Sequence, residues 1–164
     1  MTGVKRRSYE QGHRPKWLVF ADDTPECDSA VQFAARRAAR VGGGVALVAV
    51  IQPDNFGSWL GVGDRIRAEA QEEAEVVLEK RANHARSVSG LEPDKYVREG
   101  ARLAEIVKLI DEDEDISYFV VAAGVGADGP GPLLSALADR LDDFPIPIVI
   151  VPGGLTESEI DAMS

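Results

Sequence analysis

Two adjacent carboxylates, Asp22 and Asp23, follow directly on the apolar run "KWLVFA". Hard oxygen donors of this kind at a strand end can hold a divalent cation such as Mg²⁺. They also have a structural use, because Asp and Thr side chains cap helices, and Thr24-Pro25 has the form of an N-cap followed by proline at the first helical position. A second candidate is "AAGVGADGPGPLLSALADRL", which begins at Ala122. Gly124, Gly126, Gly129 and Gly131 can present backbone N–H groups to an anion, and the helix that follows would add its dipole. Pro130 and Pro132 have no N–H to give, and without a lysine the loop is not a Walker A sequence. A tight, rigid turn accounts for the same glycines. Ser135 lies in the first turns of the helix, where its hydroxyl can reach a phosphate or bond to nearby backbone.

Other reactive groups are sparse. Cys27, the single cysteine, falls at the start of a helix, where the dipole lowers a thiol pKa; the same position suits a small buried residue. One cysteine forms no intrachain disulfide, which fits a reducing cytosol. Neither His13 nor His84 has a partner at metal-ligand spacing. No G-x-S-x-G occurs, and no nucleophile, base and orienting residue can be assembled, so no robust catalysis is expected.

The formal net charge of −10 argues against a nucleic-acid partner and an anionic membrane surface. No apolar segment is long enough to span a bilayer, so a cytoplasmic protein is expected. The one basic cluster, "VKRRSYEQGHRPK", lacks the apolar stretch of a signal sequence and reads as a frayed tail over residues 1–15.

The elements that must hold these residues are legible from periodicity. "KWLVFA" is a strand, and Ala30, Val31, Ala34 and Ala38 mark one face of the next helix, which stops at the glycines beginning with Gly42. "VALVAVI" is apolar at every position, as in a parallel strand buried on both faces. A loop carrying Phe56, Trp59 and Leu60 follows, either a lid or an apolar patch for a protein partner. A long amphipathic helix then runs from Asp64 to about Val88, with Arg81 on its apolar side. "KYVRE" is a charged edge strand. The helix after Gly100 ends in "DEDED", a run at odds with a helix C-terminus, whose dipole prefers cations, and read as a solvated turn. "SYFVVAA" is a strand, Leu133, Leu134, Leu137 and Leu141 mark a helix, and "PIPIVIVP" is a closing edge strand. Residues 154–164 form a short acidic tail. Strict alternation means one α/β domain, a parallel sheet with helices on both faces, with ligands beyond the carboxyl ends of the strands. If the strands at Lys16 and Ser117 are neighbours, the Asp22 turn and the glycine loop face one crevice.

"WLVFADDTPECDSAVQFAARRAARVGG", "YVREGARLAEIVKLIDEDEDISYFVVAAG" and "FPIPIVIVP" together resemble the universal stress protein family over residues 16–153. The resemblance implies a five-stranded parallel sheet in a Rossmann-like sandwich of adenine-nucleotide-hydrolase type, and homodimers paired through the last strand. Some members bind ATP and others do not. In binders an Asp after the first strand lies near the nucleotide and its Mg²⁺, and Asp22 matches it. A backbone group ending the second strand meets the adenine, and Val50 is the nearest match. Binders carry G-x2-G-x9-G-[ST] after the fourth strand. Here Gly124 matches the first glycine, Ala127 replaces the second, and the final pair falls on Leu134-Ser135, about three residues early.

The resulting expectation is a non-catalytic stress-response module that can take an adenine nucleotide through Asp22, Thr24, Val50, the four loop glycines and Ser135. One alternative is a Mg²⁺-dependent enzyme that hydrolyses or transfers nucleotide phosphate on Asp22 and Asp23. Another is a phospho-accepting receiver, which also needs an Asp after the third strand and a Lys after the fifth, where this chain has Glu99-Gly100 and Pro152-Gly153.

Overall fold

A computed structural model describes residues 4–53 and 62–164. Five strands, β1 (Lys16–Phe20), β2 (Gly44–Ile51), β3 (Asp94–Glu99), β4 (Ile116–Ala123) and β5 (Ile148–Pro152), alternate with helices α1 (Cys27–Val41), α2 (Val62–Ser89), α3 (Arg102–Glu112), α4 (Pro132–Ala138) and α5 (Glu157–Met163). The strands form one parallel sheet in the order β3-β2-β1-β4-β5. The expected α/β architecture is therefore present, with β1 and β4 adjacent and β3 and β5 at the edges.

Alternate residues of β1 enter opposite layers, because side chains along a strand point to alternate faces. Trp17 and Val19 pack with Ala30, Val31, Ala34 and Ala38 of α1, with α2, and with Ile160 of α5. Leu18 and Phe20 pack with Ile106, Leu109 and Ile110 of α3 and with Leu133, Leu134 and Leu137 of α4. Each such aliphatic or aromatic side chain contributes about 1.5–3 kcal/mol when fully buried. The α1 stripe is largely alanine, and the small residues let the helix lie close over the sheet. Gly42 ends α1 in the left-handed conformation (φ 72°), its N–H donating to the Ala38 carbonyl.

Four expectations need correction. Residues 4–15 are docked rather than frayed. The Arg6 guanidinium donates to the carbonyls of Ile110 (2.6 Å), Asp113 (3.0 Å) and Ile116 (3.2 Å), and His13 Nδ1 lies 2.7 Å from Asp115. The acidic run is accordingly the tail's docking surface, with Asp113 also 2.8 Å from Lys16. The C-terminal tail is the helix α5, begun by a capping box between Thr156 and Glu159. Finally, α4 ends at Ala138, and Leu141 is exposed. Phe56, Trp59 and Leu60 lie outside the described residues.

Candidate nucleotide crevice

The carboxyl ends of β1 and β2 open into a cavity of about 400 Å³, within the usual range of small-molecule sites. Phe20, Ala21 and Asp22 line it from β1, and Ala49, Val50, Ile51 and Gln52 from β2. One wall is α2, whose Ile66, Ala70, Ala74 and Val77 face inward, with the exposed Glu69 and Glu73 beside them. Arg102, at the first turn of α3, closes another side.

Asp22 is held by the local backbone. Beyond Phe20 the sheet ladder continues for one residue, Ala21 N–H donating to Val48 O (2.8 Å). The Asp22 carboxylate then accepts from the Thr24 N–H (3.0 Å) and the Thr24 hydroxyl, an Asx turn. Neither residue caps α1. Its N-cap is Glu26, which makes no side-chain cap bond, and the Thr24 hydroxyl donates to Asp22. Asp23 is exposed, does not line the cavity and, among the described residues, meets Lys80 at 3.4 Å. The two adjacent carboxylates therefore do not converge.

Arg81 fixes this turn from below. Its side chain is 2% exposed. Nε and Nη2 donate to the Asp22 carbonyl (3.0 and 2.8 Å), Nη2 to the Thr24 carbonyl (2.9 Å), and Nη1 to Asp28 (2.8 Å). A guanidinium presents its donors in a rigid fork, so one residue of α2 fixes two carbonyls of the β1–α1 turn. Sequence reasoning placed Arg81 in an apolar stripe and assigned it no role. The available signal was a cation where the helix should bury aliphatic groups.

The glycine loop occupies a different place. Gly124, Gly126, Gly129, Gly131 and Ser135, like Thr24, are not among the residues lining the cavity. The loop closes on itself: Gly124 N–H donates to Pro130 O (3.0 Å) and Gly129 N–H to Gly126 O (3.3 Å). The Ser135 hydroxyl donates to Gly131 O (3.1 Å), the local backbone bond available to a helical serine. A Cβ on Gly124 would sit 3.0 Å from Gly129 O and 3.2 Å from the Glu26 carboxylate. The single crevice expected to hold both the Asp22 turn and the glycine loop is not formed, because the loop meets the Glu26 side chain of the β1–α1 turn instead. A carboxylate there opposes an incoming phosphate.

Cys27 is 2% exposed, and burial pushes its thiol up to about 11 against the lowering effects of a backbone hydrogen bond and Arg81. It is a core residue and not an activated thiol. Among the described residues no three acidic, His or Cys side chains gather to hold a metal ion, and no helix is long and apolar enough to cross a membrane.

Comparison with known proteins fits this architecture. The model of the universal stress protein family matches residues 14–152. No curated protein gives a significant match. Among solved structures, the universal stress protein UspA from Lactobacillus plantarum superposes with a TM-score of 0.70 at 15% identity, covering 84% of this chain and 97% of that one. The universal stress protein from Archaeoglobus fulgidus, solved with dAMP, gives 0.60 at 17% identity, covering 84% and 96%. A universal stress protein family member from Arabidopsis thaliana, solved with AMP, gives 0.58 at 13% identity, covering 84% and 91%. These identities speak to the fold. The family match spans most of the chain, from Arg14 to Pro152, and the chain belongs to the universal stress protein family.

Proposed function

We propose that this chain is a non-catalytic stress-response module of the cytoplasm that takes an adenine nucleotide in the crevice above β1 and β2. The observation that carries this reading is the meeting of Asp22 and Val50 in one cavity. Apolar strand ends suit the flat face of a base, and a carboxylate beside them suits sugar hydroxyls. Two solved relatives were obtained with dAMP and AMP, which supports the ligand class. Asp22 is also the carboxylate that would meet a Mg²⁺ brought in by the nucleotide, since the described residues offer no cluster to bind the ion alone. Transfer through a covalent intermediate on the chain is not favoured. The groups with nucleophilic character are engaged, Ser135 with Gly131 and Cys27 with the Phe20 carbonyl at 3.6 Å.

The test is isothermal titration calorimetry of AMP and adenosine into the purified protein. Wild type binds both. Asp22→Ala weakens both by about tenfold, the size of one lost charge-assisted hydrogen bond, while Ser135→Ala leaves them unchanged. Adenosine and AMP that fail to bind wild type, or an Asp22→Ala variant with undiminished affinity, would overturn the reading.

A further inference from the structure

Among the described residues the crevice has one cationic lining residue, Arg102, set against the carboxylates of Asp22, Glu69 and Glu73. Its guanidinium carbon lies 5.9 Å from the centroid of the Phe20 ring, close enough for a cation–π contact that orients the side chain over the end of β1. Its Nε is buried with no hydrogen-bond partner, and among the described residues Arg102 forms no ion pair. A guanidinium held by an aromatic face, lining a cavity and lacking an anion, is a ready partner for one planar oxyanion.

The carboxylates limit what can accompany that oxyanion. Glu73 has no cation against it among the described residues, and Glu69 meets only the exposed Arg65, at 3.5 Å. A chain of three phosphates would bring several negative charges beside these exposed carboxylates, and at low ionic strength such charges repel over ~30 Å. The glycine loop cannot take the excess, because it closes on itself behind Glu26.

From this geometry we infer that the crevice selects a nucleotide bearing a single phosphate, with that phosphate paired to Arg102, over a nucleoside triphosphate. This rests on the adenine-nucleotide reading above and adds to it the position and the charge of the phosphate. Arg102 is thereby a specificity-determining residue.

Calorimetric titration of adenosine, AMP and ATP into the full chain at low ionic strength, without added metal, tests the inference. In wild type AMP binds about tenfold or more tighter than adenosine, and ATP binds more weakly than AMP. Arg102→Met brings AMP down to the affinity of adenosine and leaves adenosine unchanged, while Arg102→Lys keeps part of the AMP preference. Replacing Glu69 and Glu73 with Gln raises ATP affinity several-fold and leaves adenosine unchanged, a gain that a damaged fold could not produce. If AMP and ATP bind wild type equally, or Arg102→Met binds AMP as wild type does, the inference fails while the adenine-nucleotide reading stands. If adenosine, AMP and ATP all fail to bind, both fail.

Discussion

Arg81 carries a full charge inside the apolar stripe of α2, at 1% exposure. A buried cation is tolerated when it is paired and hydrogen-bonded, and here two backbone carbonyls and Asp28 accept from all three of its nitrogens. Asp28 is itself 44% exposed, so its ion pair is partly screened and the carbonyl bonds dominate. Arg81 is thus a positioning residue that keeps Asp22 at the mouth of the crevice. Arg81→Met is expected to destabilise the fold by about 3 kcal/mol, because the Asp22 and Thr24 carbonyls lose a buried partner. Urea unfolding measures it. Arg81→Lys should recover only part of that loss, since an ammonium cannot bridge two carbonyls in the fork geometry. An Arg81→Met variant within about 0.5 kcal/mol of wild type would reduce the network to an ordinary surface contact.

The N-terminal segment shows how one element completes another. Helix α3 ends among carboxylates, at the pole of its dipole that repels them. The structure resolves this by bringing Arg6 from the other end of the chain onto the Ile110 and Asp113 carbonyls. Burial depresses the Lys16 ammonium, but hydrogen bonds to Asp113 and Asp94 outweigh that and leave it above its ordinary value. Arg6→Ala should therefore cost about 1–2 kcal/mol in urea unfolding and speed amide exchange at the end of α3. Arg7→Ala should change stability by less than about 0.5 kcal/mol, since Arg7 is half exposed and its ion-pair partners among the described residues, Glu10 and Glu114, are also partly exposed. Equal effects from the two substitutions would mean that the docked segment does not support α3. The alternation of strands and helices was legible in the sequence because each element buries its own periodic face. The docking of the tail was not, because charge complementarity between residues 5–16 and 111–115 has no period. Asp22 was singled out by its place after β1 and Val50 by the family resemblance, and both line the crevice. Arg81 and Arg102 were not legible, since their roles depend on which helix passes over which strand end. Thr24 misled for a related reason: its hydroxyl could accept from a helix N–H or donate to the Asp22 carboxylate, and the Asx turn took it.

At the scale of the whole molecule the two edges of the sheet differ. β3 carries Asp94, Lys95, Arg98 and Glu99, and charged side chains keep an edge from pairing with another chain. β5 reads Ile-Val-Ile-Val-Pro, and Ile150 is 51% exposed. Its outer backbone groups face away from β4, beside an apolar surface with no lysine to guard it. We propose that a second copy covers this edge, with β5 pairing against β5 about a two-fold axis so that one sheet runs through both copies. Pro152 has no N–H and would end the pairing at the strand's last residue. Each copy carries a net charge of −10, so association works against long-range repulsion. Salt screens that repulsion while leaving the apolar contact intact, and the dimer should tighten as ionic strength rises. Size-exclusion chromatography with light scattering should return twice the chain mass of 17.6 kDa for wild type. Ile150→Lys should return the single-chain mass with an unchanged far-ultraviolet circular dichroism spectrum, and Lys95→Glu on the opposite edge should remain dimeric. A wild-type protein of single-chain mass at micromolar concentration and moderate salt, or an Ile150→Lys protein that stays dimeric, would rule out the β5 edge as the contact.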